Sequence, residues 1–178
     1  MIHGTQIAIE YGYQVKAKPL PASVVAFSNA GKGKIFVNSK LPEYRQNFGI
    51  LHELAHLQMK HKPPYTEEME IEADQLAAEL LLPISNIGNI TDLHFLKSKF
   101  PYVSYEFLAR RLADLGHMVA VYDNGQLKTK NGPLNGYQGR IARQAFVDKA
   151  DVQGNEVTAF YVPSNGTWER VILVCFLA

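Results

Sequence analysis

The run from Glu43 to His61 is the sequence feature that most constrains how this chain can fold. Its apolar residues recur at helical spacing, and the "KPP" that follows cannot continue a helix because proline lacks the backbone N–H. Within this run, His52, Glu53 and His56 interrupt a side that would otherwise be buried. A bound cation would compensate three polar groups placed among leucine, isoleucine and alanine.

The order of residues in "HELAH" predicts a catalytic metal site. On a helix, His52 and His56 lie one turn apart on the same face, so both imidazoles point to one place. Glu53 lies about 100° around the axis and can approach a metal-bound water without binding the metal. Catalytic zinc takes three protein ligands and a water, and this is the HExxH arrangement of zinc proteases. The alternative is a pair of solvated histidines, and a third ligand distinguishes the two.

The next helix offers that third ligand. It is predicted to begin after Thr66 as N-cap and to end before Pro83. Glu70 and Asp74 lie one turn apart on it. We expect Glu70 to bind the metal, and Asp74 to accept a hydrogen bond from the free nitrogen of a ligand histidine and fix its tautomer.

Two other residues compete for the ligand role. Glu72 lies roughly 200° from Glu70 around the helix, so both cannot point into one site. His61 falls one residue short of the HExxHxxGxxH spacing, and no glycine turn precedes it. We therefore interpret His61 as a polar residue at a helix end, where the dipole favours it.

The remaining pattern predicts an α+β protein in two parts. Residues 1–116 contain a helix over Ile2–Val15, a hairpin of strands Val24–Ser28 and Lys34–Asn38, the two helices of the site, and a helix pair over residues 91–116 opened by Asp92 (or Thr91) and by Ser104. Residues 117–178 form a β-rich extension of unknown role, with hairpin turns at Asp123–Gly125 and Asn165–Gly166 and a short "RIARQAF" segment between them.

Composition excludes several classes of function. The formal charge is +1, from 18 basic and 17 acidic residues, so the basic excess of a nucleic-acid module is absent. The helix pair has the outline of a helix-turn-helix, but its acidic residues dilute Arg110 and Arg111, and we interpret it as a packing or substrate-docking element without direct nucleic-acid binding. No secretory signal or run of about 18 apolar residues occurs, and the single cysteine, Cys175, fits a reducing compartment. We expect a cytoplasmic protein that does not span a membrane.

The chain resembles the ImmA/IrrE family of gluzincin-type metallopeptidases over about Ile2 to Gly116. The resemblance is carried by "PLPASVVAF", "KIFVNSKL", "HELAHLQMKH", "EIEADQLAAELLLP" and "VSYEFLARRLADLG", in that order. It implies a mainly helical zincin-like core with a small sheet. It also implies zinc ligands at His52, His56 and Glu70, a general base at Glu53, and Asp74 as the partner of a ligand histidine. Several members of that family cleave or inactivate repressor proteins inside the cell.

The leading hypothesis is a zinc-dependent endopeptidase that cleaves one protein, a DNA-binding repressor, by Glu53-assisted attack of zinc-bound water. Manganese is the alternative metal. A second hypothesis is a regulatory binding protein that inactivates its partner without proteolysis and keeps a structural or residual zinc site. A third is a metal-free helical domain. The sequence assigns no oligomeric state, and no spacing selects an oxyanion-stabilising residue among His94, Tyr102 and Tyr105.

Overall fold

The computed structural model describes residues 3–124, 126–131, 150–152, 155–162 and 170–177. The fold is α+β, with helices and a small sheet first and a larger sheet at the C-terminal end, as predicted. The chain divides into two compact units, Met1–Asn86 and Ile87–Ala178. In the described part of the chain, no helix combines the length and apolar character needed to cross a bilayer.

The first unit carries the candidate site. Its helices and strands are α1 (His3–Glu10), β1 (Gln14–Lys18), β2 (Ala26–Asn29), β3 (Lys34–Asn38), α2 (Glu43–Gln58) and α3 (Glu67–Leu81). Its sheet has the order β1-β3-β2, with β1 parallel and β2 antiparallel to β3, and short 3-10 turns lie at Ala30–Lys32 and Ile84–Asn86.

The predicted helix over Ile2–Val15 is right in its first part and wrong in its last. The helix ends at Glu10, and Gly12 adopts a left-handed conformation with φ of 85°. Gln14 then begins a strand in which Val15 pairs with Ile35 of β3. A glycine at positive φ stops a helix at little cost, and the pairing partner of the strand lies 20 residues away, beyond any local pattern.

Helix α2 forms the centre of the first unit. Ile50, Leu51, Leu54 and Ala55 are fully buried on it, and α3 packs against it through Ala73, Ala77 and Leu81. At two glycines, neighbouring segments pack so closely against α2 that a Cβ would not fit. A Cβ on Gly4 of α1 would lie 2.7 Å from the backbone oxygen of Asn47, and a Cβ on Gly49 would lie 2.5 Å from Cγ1 of Val25, just before β2.

The ends of α2 and α3 follow local chemistry. Thr66 caps α3 by accepting a hydrogen bond from the backbone N–H of Met69, as predicted. The helix predicted through about His61 ends three residues earlier, at Gln58, and Lys60 adopts a positive φ of 58°. His61 therefore lies in the connection between the two helices, where the backbone can turn its ring back toward α2.

The second unit is a five-stranded antiparallel sheet with two short helices. The elements are α4 (Leu93–Lys99), α5 (Tyr105–Asp114), β4 (Met118–Asp123), β5 (Gln126–Asn131), β6 (Ala150–Val152), β7 (Asn155–Val162) and β8 (Arg170–Cys175). Asp92 and Ser104 cap the helices, as predicted, and α5 packs against β4 and β8. The strand order is β5-β4-β8-β7-β6.

Both predicted hairpins have their strands paired. β4 pairs with β5 across the turn at Asp123–Asn124, and β7 pairs with β8. The turn predicted at Asn165–Gly166 and the "RIARQAF" segment lie outside the described residues. Cys175 is buried in the sheet.

The chain divides into its two compact units between Asn86 and Ile87, whereas the predicted domain boundary lies near Gly116. The helix pair thus groups with the C-terminal sheet by compactness. Its two arginines are paired with acids: Arg110 with Glu106 at 3.0 Å, and the buried Arg111 with Asp114 at 2.9 Å. Arginines held in this way fit a packing role for the pair. The boundary at Gly116 stays a prediction.

Candidate metal centre

Helices α2 and α3 bring His52, His56 and Glu70 to one point. The two imidazole Nε2 atoms lie 3.0 Å apart. Oε2 of Glu70 lies 3.1 Å from Nε2 of His52, and Oε1 lies 3.7 Å from Nε2 of His56. Tetrahedral zinc with bonds of about 2.0–2.1 Å places two of its ligand atoms about 3.3 Å apart. The three donors have close to that spacing, so the site fits a zinc-sized ion.

The chemistry of the three donors also fits a catalytic metal. Two neutral imidazoles and one carboxylate form the His2Glu set of catalytic zinc, which leaves a fourth position for a water or substrate. His56 is 1% exposed, whereas the side chain of Glu70 is 47% exposed. One side of the triad is therefore embedded in the core and the other faces solvent.

Asp74 holds the ring of His52. Its Oδ1 lies 2.8 Å from Nδ1 of His52. Burial acts first and lowers the pKa of His52, but the hydrogen bond and charge of Asp74, with Glu70 and Glu53, raise that pKa above its ordinary value overall. A hydrogen bond donated by Nδ1 leaves the lone pair of Nε2 directed at the triad. Asp74 therefore lies against the ring of His52, and its role as the partner of a metal ligand stays a prediction.

His56 has different surroundings from those of His52. Burial, and then the neighbouring His52, lower its pKa below the ordinary value, opposed by Glu70 and Glu53. Its Nδ1 lies 3.0 Å from Nδ1 of His61, and Nε2 of His61 lies 3.2 Å from Oε2 of Glu72. His61 and Glu72, which the sequence analysis rejected as ligands, therefore lie behind the ring of His56. Sequence reasoning missed this arrangement, for which the only signal was a third histidine five residues after His56.

Tyr65 is a second residue that sequence reasoning missed. Its ring stacks on the imidazole of His56, with centroids 4.0 Å apart and planes 12° apart. Burial first, and then the charges of Glu53 and Glu70, raise the pKa of the phenol. Tyr65 therefore covers one face of the His56 imidazole, and its hydroxyl keeps its proton at neutral pH.

Glu53 is half-buried beside the triad. Its charge acts to raise the pKa values of His52, His56 and Tyr65, after larger effects of burial at each. Its carboxylate thus lies within electrostatic reach of all three groups. That position is compatible with a general base, and the role of Glu53 stays a prediction.

The three residues considered for oxyanion stabilisation lie in the second unit. Nδ1 of His94 lies 3.0 Å from the hydroxyl of Tyr105, and its ring makes an edge contact with Phe160. The ring of Tyr102 makes an edge contact with Phe100. These contacts give the rings packing roles, and the oxyanion role is left open.

Comparison with known proteins supports the same family. The family model of peptidase family M78, described as the IrrE N-terminal-like domain, matches residues 9–113. A Mycobacterium tuberculosis transcriptional regulator of known structure superposes with a TM-score of 0.65 at 15% identity, over 98% of this chain and 71% of that one. At that identity the likeness shows a shared fold. No curated protein matches the sequence significantly.

Proposed function

The chain belongs to peptidase family M78, with the IrrE N-terminal-like domain, and we propose that it is a zinc-dependent endopeptidase that cleaves a specific protein. The observation that carries this proposal is the convergence of His52, His56 and Glu70 from two helices, with their donor atoms within 4.8 Å of one another. When bound, zinc would lower the pKa of a water to about 7 and polarise the scissile carbonyl. Manganese is the alternative ion.

The chain's own residues supply orientation and proton transfer. Glu53 would accept the proton of the attacking water and deliver it to the leaving amine, since a carboxylate in hydrogen-bonding reach can serve as base and then as acid. Asp74 would hold His52 in the tautomer that presents Nε2. The partly exposed carboxylate of Glu70 would leave the solvent side of the site open to a substrate.

An edge strand next to α2 favours a polypeptide substrate. β2 ends the sheet order β1-β3-β2 and pairs on the β3 side within the described residues. Val25, just before β2, packs on Gly49, three residues before His52. An extended peptide can add to such an edge through main-chain hydrogen bonds, which holds its backbone irrespective of side chains. We therefore propose cleavage within an extended segment of the substrate.

The proposed substrate class is a DNA-binding repressor. It rests on the resemblance of the sequence blocks to the ImmA/IrrE family, several of whose members act on repressors. The formal charge of +1 supports action on a protein partner over direct binding of DNA, which needs a concentrated basic surface. The cytoplasm is the compartment proposed with it.

The variant Glu53→Gln tests the catalytic proposal. The amide keeps the size of the side chain but cannot accept the water's proton, so we expect unchanged zinc content and a loss of cleavage of at least about 100-fold. Cleavage is read as new protein N-termini in cells that produce the wild type and not the variant. Glu67→Gln, an exposed glutamate in the first turn of α3, is the matched control and retains cleavage.

The same experiment separates the proposal from regulation by binding alone. If Glu53→Gln produces the same new N-termini as the wild type, Glu53 is not the base. If neither protein produces new N-termini, yet both release the same set of repressed genes, the chain acts by binding its partner, and the endopeptidase proposal is wrong.

A further inference from the structure

We propose that His61 and Glu72 form a positioning relay for His56: together they fix its tautomer and ring orientation, so that Nε2 is presented to the metal. This inference rests on the metal site of the proposed function and adds two residues to it. His61 lies in the connection between α2 and α3, and Glu72 lies on α3. Neither belongs to the His52, His56 and Glu70 triad.

The direction of each hydrogen bond follows from the role of Nε2. A neutral imidazole carries one N–H, so a His56 whose Nε2 lone pair faces the triad must carry its proton on Nδ1. Nδ1 of His56 then donates to Nδ1 of His61 over 3.0 Å. Since Nδ1 of His61 accepts, its proton lies on Nε2, which donates to Oε2 of Glu72 over 3.2 Å. With the Nε2 lone pair of His56 directed at a cation, this order gives every other nitrogen of the two neutral rings a hydrogen-bond partner.

Burial makes the relay necessary. His56 is 1% exposed, and the side chain of His61 is 8% exposed, so water does not replace their hydrogen-bond partners freely. Leaving one buried donor without a partner destabilises the folded protein. The carboxylate of Glu72 is 56% exposed and lies at the solvent end of the chain of groups. The relay thus runs from a surface charge through a buried ring to a buried ligand.

The relay and the Asp74 contact are two solutions to one problem. His52, which is partly exposed, is held directly by a carboxylate at 2.8 Å. His56 lies deeper, and a histidine bridges the distance to its carboxylate. Metal-bound histidines commonly donate their second N–H to such a partner, and removing the partner weakens metal binding by about 10- to 100-fold. Stacking on Tyr65 restricts the tilt of the His56 ring but still allows the ring to rotate within its own plane. The hydrogen bond to His61 restricts that remaining rotation.

Substitutions at His61 separate positioning from simple packing. His61→Leu fills similar space without hydrogen bonding, whereas His61→Gln offers an amide oxygen to His56 and an N–H to Glu72. We expect zinc affinity, measured by competition with a chelating dye, to fall about 10- to 100-fold in His61→Leu and to stay within about threefold of wild type in His61→Gln. We expect the zinc affinity of Glu72→Ala to lie between those of the two His61 variants. Glu67→Ala, on the same helix, is the control and keeps the affinity of the wild type.

A second readout needs no metal. Nitrogen chemical shifts of His56 in the metal-free protein at about pH 8, where imidazoles are neutral, report its tautomer directly. We expect a larger fraction of the Nδ1–H form in the wild type and in His61→Gln than in His61→Leu, where Nε2 of His52 competes for the proton of His56 without opposition from His61. Equal affinity and tautomer in His61→Leu and wild type overturn the relay, as does a His61→Gln variant that loses as much affinity as His61→Leu. A wild type that binds no zinc but keeps the Nδ1–H form contradicts the proposed function and leaves the relay standing.

Discussion

At the scale of single residues, the two histidines of HELAH look equivalent in sequence and differ in the structure. His52 is partly exposed and paired with Asp74, and its pKa is raised overall despite burial. His56 is buried under Tyr65 and backed by His61, and its pKa is lowered by burial. The pairing with Asp74 could be predicted because i to i+4 spacing on α3 fixes its direction relative to Glu70. The partners of His56 could not be predicted from the sequence. His61 and Tyr65 lie in the connection between α2 and α3, whose path depends on tertiary packing.

The stacking of Tyr65 on His56 gives a prediction about metal binding. Tyr65→Phe keeps the ring and loses the hydroxyl, whereas Tyr65→Ala uncovers one face of His56. We expect zinc affinity within about twofold of wild type in Tyr65→Phe and a weakening of about 10-fold in Tyr65→Ala, in the range found for residues that orient a ligand. Titration with a competing chelator measures both. A loss in Tyr65→Phe as large as in Tyr65→Ala would assign the effect to the hydroxyl and contradict the stacking account.

At the scale of helices and strands, the structure follows the sequence wherever the determinants are local. Thr66, Asp92 and Ser104 cap helices at the predicted positions because each side chain bonds to an N–H two or three residues on. The strand β1 escaped prediction because its stability comes from parallel pairing with β3. The position of α2 likewise depends on contacts between residues far apart in the sequence. The spacing of apolar residues along the chain carries no information about such contacts.

The approach of α1 to α2 predicts the cost of one added methyl group. A Cβ on Gly4 would lie 2.7 Å from the backbone oxygen of Asn47, and the N–H of Gly4 donates to Oδ1 of that residue over 2.8 Å. Because backbone cannot move aside cheaply, we expect Gly4→Ala to lower the free energy of unfolding by about 1–3 kcal/mol. Chemical denaturation measures this. Gly31→Ala, whose Cβ would meet one atom at 3.8 Å, is the control and changes stability by less than about 0.5 kcal/mol. Equal stability of the two variants would contradict the close packing.

At the scale of the whole molecule, the sequence predicts the α+β class and the β-rich end, because helix caps, prolines and hairpin turns repeat along the chain. It does not predict where the chain divides into two compact units. The amino-acid composition does not change between Asn86 and Ile87, where the chain divides. The sequence pattern instead changes near Gly116, from one typical of helices to one typical of strands. The division into compact units depends on which apolar surfaces pack against each other. The sequence pattern indicates only which surfaces are apolar.

The second unit is held partly by charge, which predicts how its stability depends on pH. Arg170 donates to Asp123 over 2.6 Å and to Glu106 over 2.9 Å. The hydrogen bond from Arg170 lowers the pKa of Asp123. Burial acts first to raise the pKa of Glu106, but the hydrogen bond of Lys128 and the neighbouring cations lower it overall. Groups with a lowered folded-state pKa stabilise the protein above their unfolded values, and that stability is lost as pH falls through the folded values.

We therefore expect the wild type to lose stability as pH drops below about 4.5 and Arg170→Gln, already weaker at neutral pH, to lose less over the same interval. Denaturation midpoints between about pH 7 and pH 3 measure the two slopes. Arg110→Gln serves as the control because Arg110 contacts the same Glu106 but is 64% exposed, where screening weakens the pair. Parallel curves for wild type and Arg170→Gln would show that this cluster does not govern the acid sensitivity.

The account depends most on one divalent ion held by His52, His56 and Glu70, and metal analysis tests this most directly. Zinc stoichiometry and affinity are measured for the wild type and for Glu70→Ala, an exposed helical position where alanine is well tolerated. We predict one zinc per chain in the wild type and a loss in Glu70→Ala exceeding the about 100-fold upper range for orienting partners. A wild type without bound zinc, or a Glu70→Ala variant with undiminished affinity, would contradict the metal centre.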